Sequence, residues 1–143
     1  MNKNNIKFEI YNKINEKIKS IREDVFIKEQ CYKVDIDELD NNCIHILLYF
    51  NDIPVGTLRL IKKDEHSLKL GRLAILKEYR AKHLGTILLN KAEEYALNNG
   101  YKTIYLDAQF DKRGFYFKNG YENMNMPLFL DENYPHIHLK KNL

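Results

Sequence analysis

The chain has 143 residues, a length that predicts a single domain, 1–143, with a sizeable core of its own. Its 23 basic and 20 acidic residues give a net charge of +3, and without any long block of lysine and arginine this balance excludes binding to nucleic acid through bulk charge. No apolar run reaches the ~18 residues of a membrane span, and the N-terminus is too polar for a signal peptide, so we expect neither.

The two cysteines indicate a compartment. Cys31 and Cys43 are not part of a C-x-x-C pair of the kind that binds zinc or exchanges disulfides. Free thiols of this kind are typical of a reducing environment. We therefore expect a cytoplasmic protein with no disulfide and no bound metal.

The N-terminal part of the chain predicts a strand, a helix and a two-stranded hairpin. Apolar and polar residues alternate over 6–11, which is typical of a half-buried strand. A helical pattern of isoleucines follows over 12–30. After an acidic stretch without a clear period at 31–42, two apolar runs at 43–50 and 55–62 flank a turn.

A short basic loop joins a buried strand to a helix in the middle of the chain. Residues 68–76 form an apolar run typical of a buried strand, and a helical period begins at Leu84. Arg80, Lys82 and His83 therefore lie at the N-terminus of a helix, where the helix dipole disfavours cations. A bound anion would reverse that preference, so the pattern predicts a phosphate site. Solvated loop charges are the simpler alternative.

The C-terminal part predicts a strand, a short helix and two further strands. The strand covers 102–108, and the helix covers 112–119 and ends at Gly120. Two strands are expected in the tail, at 129–130 and 136–140. The order of elements predicts an α/β fold whose mixed sheet carries helices on both faces.

Arg80 and Gly85 stand at the ends of a six-residue motif. Residues 80–85 read R-A-K-H-L-G and resemble the pyrophosphate loop of the GNAT acetyltransferase superfamily, Q/R-x-x-G-x-G/A, between its fourth strand and third helix. His83 replaces the middle glycine of that motif. A side chain at this position either tolerates the backbone conformation of a glycine or pushes the phosphates outward.

Further short motifs resemble a bacterial subgroup of this superfamily related to YjcF and ElaA. They are similar to R-x-x-V-F-x-x-E-Q at 22–30, D-E-x-D at 37–40, G-R-x-A-V at 71–75, F-Y-x-x-x-G-F/Y at 115–121 and P-H-I/V at 135–137. Together they extend over nearly the whole chain in the expected order. The resemblance implies the GNAT acyl-CoA N-acyltransferase fold, with a mixed, mostly antiparallel central sheet and helices on both faces.

The resemblance implies acetyl-CoA as a co-substrate and indicates which residues would bind it. The backbone of the fourth strand would pair with the pantetheine arm through Leu73, Ala74 and Ile75. The loop would hold the phosphates through Arg80, Ala81, Lys82, His83, Leu84, Gly85 and Thr86. Phe115 and Lys118 complete the predicted set, with core packing and a solvated lysine as their simpler roles.

Tyr116 and His136 are the candidate catalytic residues. By resemblance, Tyr116 would donate a proton to the departing CoA thiolate, a task that suits a phenol protonated at pH 7. His136 is the candidate base for the attacking amine, because imidazole titrates near neutral pH. A core aromatic and a structural strand histidine are the alternatives.

Three acids are further candidates for a role at the acceptor amine. Glu29, Asp37 and Asp40 are candidates either for the base or for electrostatic contacts to a cationic acceptor amine. A solvated acidic loop that caps nearby amides is the simpler role of the two aspartates. His45, within a predicted strand, is expected to hydrogen-bond an acid of this group.

The combined features predict an acetyl-CoA-dependent N-acetyltransferase. The primary amine of a small molecule, or of a peptide, would attack the thioester directly in a ternary complex. A non-catalytic CoA-binding or protein-interaction module on the same fold is the alternative. The expected partners are acetyl-CoA and a small amine, without nucleic acid or membrane, and a homodimer is left open.

Overall fold

Strands from both halves of the chain form one mixed sheet in the computed structural model, which describes residues 5–143. Within that range the strands are β1 Ile6–Tyr11, β2 Ile44–Phe50, β3 Ile53–Asp64, β4 Ser67–Ile75, β5 Thr103–Gln109, β6 Glu122–Asn123, β7 Phe129–Asp131 and β8 Tyr134–Asn142. Their order across the sheet is β1-β2-β3-β4-β5-β8-β6, and β7 also pairs with β8. Paired strands are antiparallel except β4 and β5. The predicted mixed, mostly antiparallel sheet is confirmed.

Helices cover both faces of the sheet, as the sequence predicts. They are α1 Glu16–Arg22, α2 Leu84–Asn98 and α3 Arg113–Lys118. α1 begins after Asn15, because the side chain of this residue accepts a hydrogen bond from Ile18 N at 2.9 Å and caps the helix. The predicted helix over 12–30 then continues as a π-helix, Glu23–Glu29, a wider form that side-chain periodicity does not distinguish.

Two apolar cores hold the helices against the sheet. On one face α2 packs Leu88 and Ala92 against a cluster that includes Leu48 of β2. On the other face α1 packs Ile18 against Leu47, the preceding residue of the same strand. Since successive strand residues point to opposite faces, a strand buried on both sides reads as a continuous apolar run.

The fourth and fifth strands separate part-way along their length. They pair in parallel where 67–70 meets 103–106. Further on, β5 continues beside β8, whereas residues 71–75 of β4 pair with β3 alone within the described chain. Arg72 has a φ of 53° and the β3–β4 register shifts beside it, as in a β-bulge. The separation opens a cleft in the middle of the sheet.

Single turns of 3₁₀-helix occupy three of the connections. They are Glu38–Asn41, Lys77–Tyr79 and Phe110–Lys112. The C-terminal strands are longer than predicted, and β8 includes Pro135 near its start, where proline is tolerated best. Among residues 5–143 no helix is long and apolar enough to cross a membrane.

Candidate active site

A cleft of about 1200 Å³ lies between the separated strands. Its walls come from the end of β4, the start of α2, α3, the π-helix and the start of β8. We call the part beside residues 79–86 the loop end, and the part beside Phe26 and His136 the sheet end. A concave site with polar groups at both ends suits an elongated ligand.

The loop before α2 has the backbone conformation that usually calls for glycine. Ala81 and His83 both lie in the left-handed region, with φ values of 66° and 60°. His83 immediately precedes α2, no side chain caps this helix, and its first turn contains no acid. The first N–H groups of α2 therefore lack both a cap and an intrahelical partner, which leaves them open to an anion. The histidine tolerates the glycine-like conformation.

Gly85 permits the close approach of α2 to α3. A Cβ added at Gly85 would lie 3.0 Å from Cζ of Phe115, closer than side chains normally come. Phe115 packs against the main core, and it also lines the cleft. Its two predicted roles, core packing and contact with a ligand, are therefore compatible.

The basic side chains near the loop differ in direction. Arg80 and Lys118 line the cleft, whereas the Lys82 ammonium lies 5.7 Å from the ring centroid of Phe50 and is not part of the lining. The other predicted loop residues line the loop end together: Ala81, His83, Leu84, Gly85 and Thr86. The structure thus brings the predicted loop to the cleft, with the side chain of Lys82 as the exception.

Arg80 is paired with Glu29. Its two Nη atoms donate to the two carboxylate oxygens of Glu29, at 2.8 Å for Nη2, and its Nε donates to the Ile75 carbonyl at 3.0 Å. Hydrogen bonds from Arg80 hold the pKa of Glu29 below its usual range, so the carboxylate is charged at neutral pH. The sequence placed Glu29 with the acceptor amine, but the structure places it beside the loop.

The last residues of β4 present backbone groups to the cleft. Leu73, Ala74 and Ile75 all line it, and within residues 5–143 no strand pairs with them on the side of β5. The Ile75 carbonyl is taken by Arg80. The remaining N–H and C=O groups on that side are available to an extended ligand, which could pair with β4 as an added strand would.

Tyr116 projects from α3 into the cleft. Its ring packs edge-on against Phe115 and Tyr121, with centroid distances of 5.1 and 6.0 Å. Its hydroxyl makes no hydrogen bond to residues 5–143. Burial raises the pKa of Tyr116, so the phenol keeps its proton at any physiological pH. The arrangement provides a neutral O–H donor that is free for a ligand.

His136 lies on β8 at the sheet end and is 6% exposed. Its Nδ1 lies 2.8 Å from the Tyr134 carbonyl, and because a carbonyl can only accept, Nδ1 carries the proton. The lone pair of the neutral ring is therefore on Nε2. The ring stacks on Phe129 at 5.4 Å, which holds its orientation.

Asp37 and Asp40 belong to a cluster in which three aspartates face three arginines; we call it the buried cluster because its centre is buried, although Asp37 and Arg72 are each about one-third exposed. The members are Asp35, Asp37, Asp40, Arg22, Arg59 and Arg72. Asp40 is fully buried and accepts from Arg22 at 2.7 Å and from Arg59 at 2.9 Å. Burial alone would raise the pKa of Asp40, but bonds from Arg22 and Arg59 and from the Asp37 N–H outweigh it and hold the pKa at about 2. Neither Asp37 nor Asp40 lines the cleft.

Both aspartates accept hydrogen bonds from nearby backbone amides, which is the simpler role predicted for them. Asp37 caps the turn Glu38–Asn41 by accepting from Leu39 N at 3.0 Å, and Asp40 accepts from Asp37 N at 2.9 Å. The Asp40 carboxylate is inaccessible, and Asp37, which is 32% exposed, accepts from Arg59 and Arg72 with its two oxygens. The structure therefore does not bring them together with His136.

His45 bonds the backbone of the cluster instead of a carboxylate. Its Nε2 lies 2.8 Å from the Asp40 carbonyl, and the nearest Asp40 carboxylate oxygen is 4.0 Å away. Burial lowers the pKa of His45, so the ring is neutral. Asp40, Cys43 and His45 lie close enough to suggest a metal site. Because Nε2 donates to a carbonyl and Asp40 faces two guanidinium groups, they are not a set of free ligands.

A polar network at the sheet end was not predicted. Gln109 donates to the side-chain oxygen of Gln30 at 2.7 Å and to the Tyr32 hydroxyl at 3.0 Å. The Tyr134 hydroxyl donates to the Gln30 carbonyl at 2.8 Å. These partners are far apart in sequence, so spacing could not reveal them. The one indication in the sequence is that Gln30 is the last residue of the R-x-x-V-F-x-x-E-Q motif.

Comparison with known proteins agrees with this geometry. The profile described as the acetyltransferase (GNAT) family matches residues 9–121. The chain belongs to the GNAT family of acetyltransferases. The predicted relation to YjcF and ElaA is also confirmed. YjcF of Bacillus subtilis, named an uncharacterized N-acetyltransferase, is 37% identical over 123 residues, which are 85% of this chain and 87% of YjcF.

Solved structures show the same GNAT fold. Escherichia coli ElaA superposes with a TM-score of 0.83 at 25% identity, over 96% of this chain and 99% of ElaA. A GNAT family acetyltransferase from Elizabethkingia anophelis, solved with acetyl-CoA bound, has a TM-score of 0.76 over 99% of this chain and 100% of its own. At 18% identity this second likeness concerns the fold alone. The protein is a GNAT family N-acetyltransferase.

Proposed function

We propose that the protein transfers the acetyl group of acetyl-CoA to the primary amine of a small molecule by direct attack in a ternary complex. The observation that carries this proposal is the convergence of four features on one cleft. These are the β4 backbone that no strand of residues 5–143 pairs with on the side of β5, the uncapped N–H groups at the start of α2, the phenol of Tyr116 and the free Nε2 of His136. We also place the protein in the cytoplasm, since Cys31 and Cys43 are free thiols.

Acetyl-CoA would lie along the cleft with its pyrophosphate at the loop end. The N–H groups at the start of α2 and the guanidinium of Arg80 would bind the phosphates, and Lys118 also lines the cleft. The pantetheine arm would pair with the backbone groups of Leu73 and with the N–H of Ile75, which alternate with groups that face β3. That placement brings the thioester to the point where β4 and β5 separate, between the two ends.

The reaction requires that the acceptor nitrogen lose one proton and that the departing CoA thiolate gain one. The acceptor would attack the thioester carbon as a neutral amine, and the Nε2 of His136 would take the proton that the nitrogen loses as the amide forms. A backbone N–H of β4 would hold the oxyanion as the C–N bond forms. When the C–S bond breaks, Tyr116 would give its proton to the thiolate. Burial disfavours the tyrosinate, so recovery of a proton from solvent would follow at once.

The acceptor would enter at the sheet end. Phe26 and Tyr32 line this end together with His136, so the acceptor meets aromatic surface there. The cluster of aspartates is neutralised by its own arginines and therefore gives no preference for a cationic amine. We propose a small primary amine held mainly by shape and by the polar groups around Gln30.

A panel of primary amines, with CoA thiol release as the readout, tests the proposal. At least one amine should be acetylated, and Tyr116→Phe should lower kcat about 10²-fold, because only the proton donor is removed. His136→Asn should lower kcat/KM and remove the acidic limb of its pH profile. His66→Asn, an exposed histidine in the β3–β4 turn, is the matched control. Tight acetyl-CoA binding without transfer to any amine would favour the non-catalytic module instead.

A further inference from the structure

The guanidinium of Arg80 is already occupied by a carboxylate of the protein. Glu29 receives both Nη atoms in the two-pronged geometry that arginine also uses for phosphate. The two side chains come from positions 51 residues apart, and they are 37% and 32% exposed, so solvent and ligands reach the pair. An incoming phosphate would therefore meet an arginine that holds another anion.

Glu29 and a phosphate are alike in the features that matter to Arg80. Both are anions with two oxygens at a spacing that fits the guanidinium fork. The pKa of Glu29 is lowered first by its hydrogen bonds to Arg80, so the carboxylate carries its charge at neutral pH. Two anions on one guanidinium repel each other, and the polyanionic coenzyme has the stronger attraction.

We propose that Glu29 is a displaceable counter-ion, which holds Arg80 in the free protein and leaves it when the coenzyme pyrophosphate arrives. The inference rests on the proposed function of the loop and goes beyond it, since it gives Glu29 a role in coenzyme admission. The released carboxylate does not lack partners. Lys112 and Lys77 lie close enough to lower its pKa further and can receive it.

Release of Glu29 from Arg80 would also affect the sheet end of the cleft. Glu29 is the last residue of the π-helix, and Gln30 follows it directly. Gln30 accepts hydrogen bonds from Gln109 and Tyr134, the network beside His136. Val25 and Phe26 of the same π-helix line the cleft. Release of Glu29 therefore frees the end of a segment that forms the acceptor wall, which links coenzyme binding to acceptor binding.

Calorimetric titration of acetyl-CoA into three variants tests the exchange. Glu29→Gln removes the charge, and we expect acetyl-CoA to bind about three- to tenfold more tightly. Glu29→Asp keeps the charge but shortens the reach to Arg80, and we expect tightening of about two- to fivefold. Glu78→Gln, an exposed acid in the turn before the loop, is the control for simple loss of negative charge.

The outcomes separate three explanations. Tightening in both Glu29 variants but not in Glu78→Gln supports the exchange. Tightening in Glu29→Gln alone would overturn it in favour of plain charge repulsion, and weakening in both would make Glu29 a positioning residue for Arg80. Failure of the unaltered protein to bind acetyl-CoA would overturn the proposed function and the exchange together.

A crystal structure of the acetyl-CoA complex provides a second readout. We expect the Arg80 guanidinium within hydrogen-bond distance of a phosphate oxygen, with the Glu29 carboxylate turned away from it. Persistence of both Arg80–Glu29 hydrogen bonds in that complex would overturn the exchange, even if the affinities had changed in the expected direction.

Discussion

The protein contains two sets of arginine–carboxylate pairs that differ in depth. In the buried cluster, Arg22 and Asp40 are almost completely inaccessible, and each makes bonds to more than one partner. The pair of Glu29 and Arg80 beside the loop is about one-third exposed and consists of two side chains. The same chemical groups thus serve as a fixed part of the fold in one place and as a replaceable contact in the other.

The difference follows from the cost of breaking each set. Removing one partner from a buried ion pair leaves a charge that water cannot solvate. At an exposed pair, water or another anion replaces the lost partner, so the pair contributes little to stability. We therefore expect changes in the cluster to affect unfolding and changes in the pair to affect binding.

The largest effect is expected from Arg22→Met. This change leaves Asp35 and Asp40 buried without their main partner, and we expect the free energy of unfolding to fall by about 3–5 kcal/mol. Urea denaturation measures it. Lys19→Met, an exposed position on the same helix, is the matched control and should change stability by less than about 0.5 kcal/mol. Equal losses in the two variants would contradict the distinction.

Arg80→Ala should produce the opposite pattern. We expect acetyl-CoA affinity to fall about ten- to a hundredfold, because a charge-assisted hydrogen bond to phosphate contributes roughly 1.5–3 kcal/mol. The urea midpoint should stay close to that of the unaltered protein. An unchanged affinity in calorimetry would remove Arg80 from the phosphate site.

The titration of Asp40 reports directly on the buried cluster. Its pKa is about 2 in the folded protein and about 3.9 in an unfolded chain, so the folded state favours the carboxylate. The resulting stabilisation, about 2–3 kcal/mol, is complete above pH ~5 and is lost as the pH falls through the folded pKa. Carboxyl ¹³C shifts measured against pH should show a midpoint near 2, and a midpoint near 4 would mean that the cluster is open to water.

The smallest effect is expected at His83. His83→Gly relieves the left-handed conformation but increases the freedom of the unfolded chain, and these terms nearly cancel, within about 0.5 kcal/mol. Acetyl-CoA affinity should stay the same or rise slightly. His83→Val, a β-branched residue at the same φ, should be clearly destabilising in thermal unfolding. A stable valine variant would show that the loop is free to change its conformation.

Local patterns in the sequence predicted much of the fold. Apolar runs located the strands except β6, whose two residues are polar, and the period from Leu84 located α2, because each depends on side chains close together in the chain. The split between β4 and β5 and the π-helix were not predicted, since backbone hydrogen bonding decides them and the side-chain period does not.

The candidate site was predictable where its residues are neighbours in the chain. The loop from Arg80 to Thr86 is continuous, and all of it except the Lys82 side chain lines the cleft. The roles of the acids depend on partners that are distant in sequence, so they could not be inferred. Asp40 faces arginines from α1 and β3, and Glu29 faces an arginine 51 positions away.

The short parallel junction between β4 and β5 also has a mechanical meaning. Four residue pairs join the strands β1–β4 to the strands β5–β8 within the described sheet, and α2 packs over this junction on one face. A ligand bound in the cleft between β4 and β5 would contact both groups of strands and hold them together. Its binding would resist shear between them, so the same protein should become harder to pull apart, as well as harder to melt, when the cleft is filled.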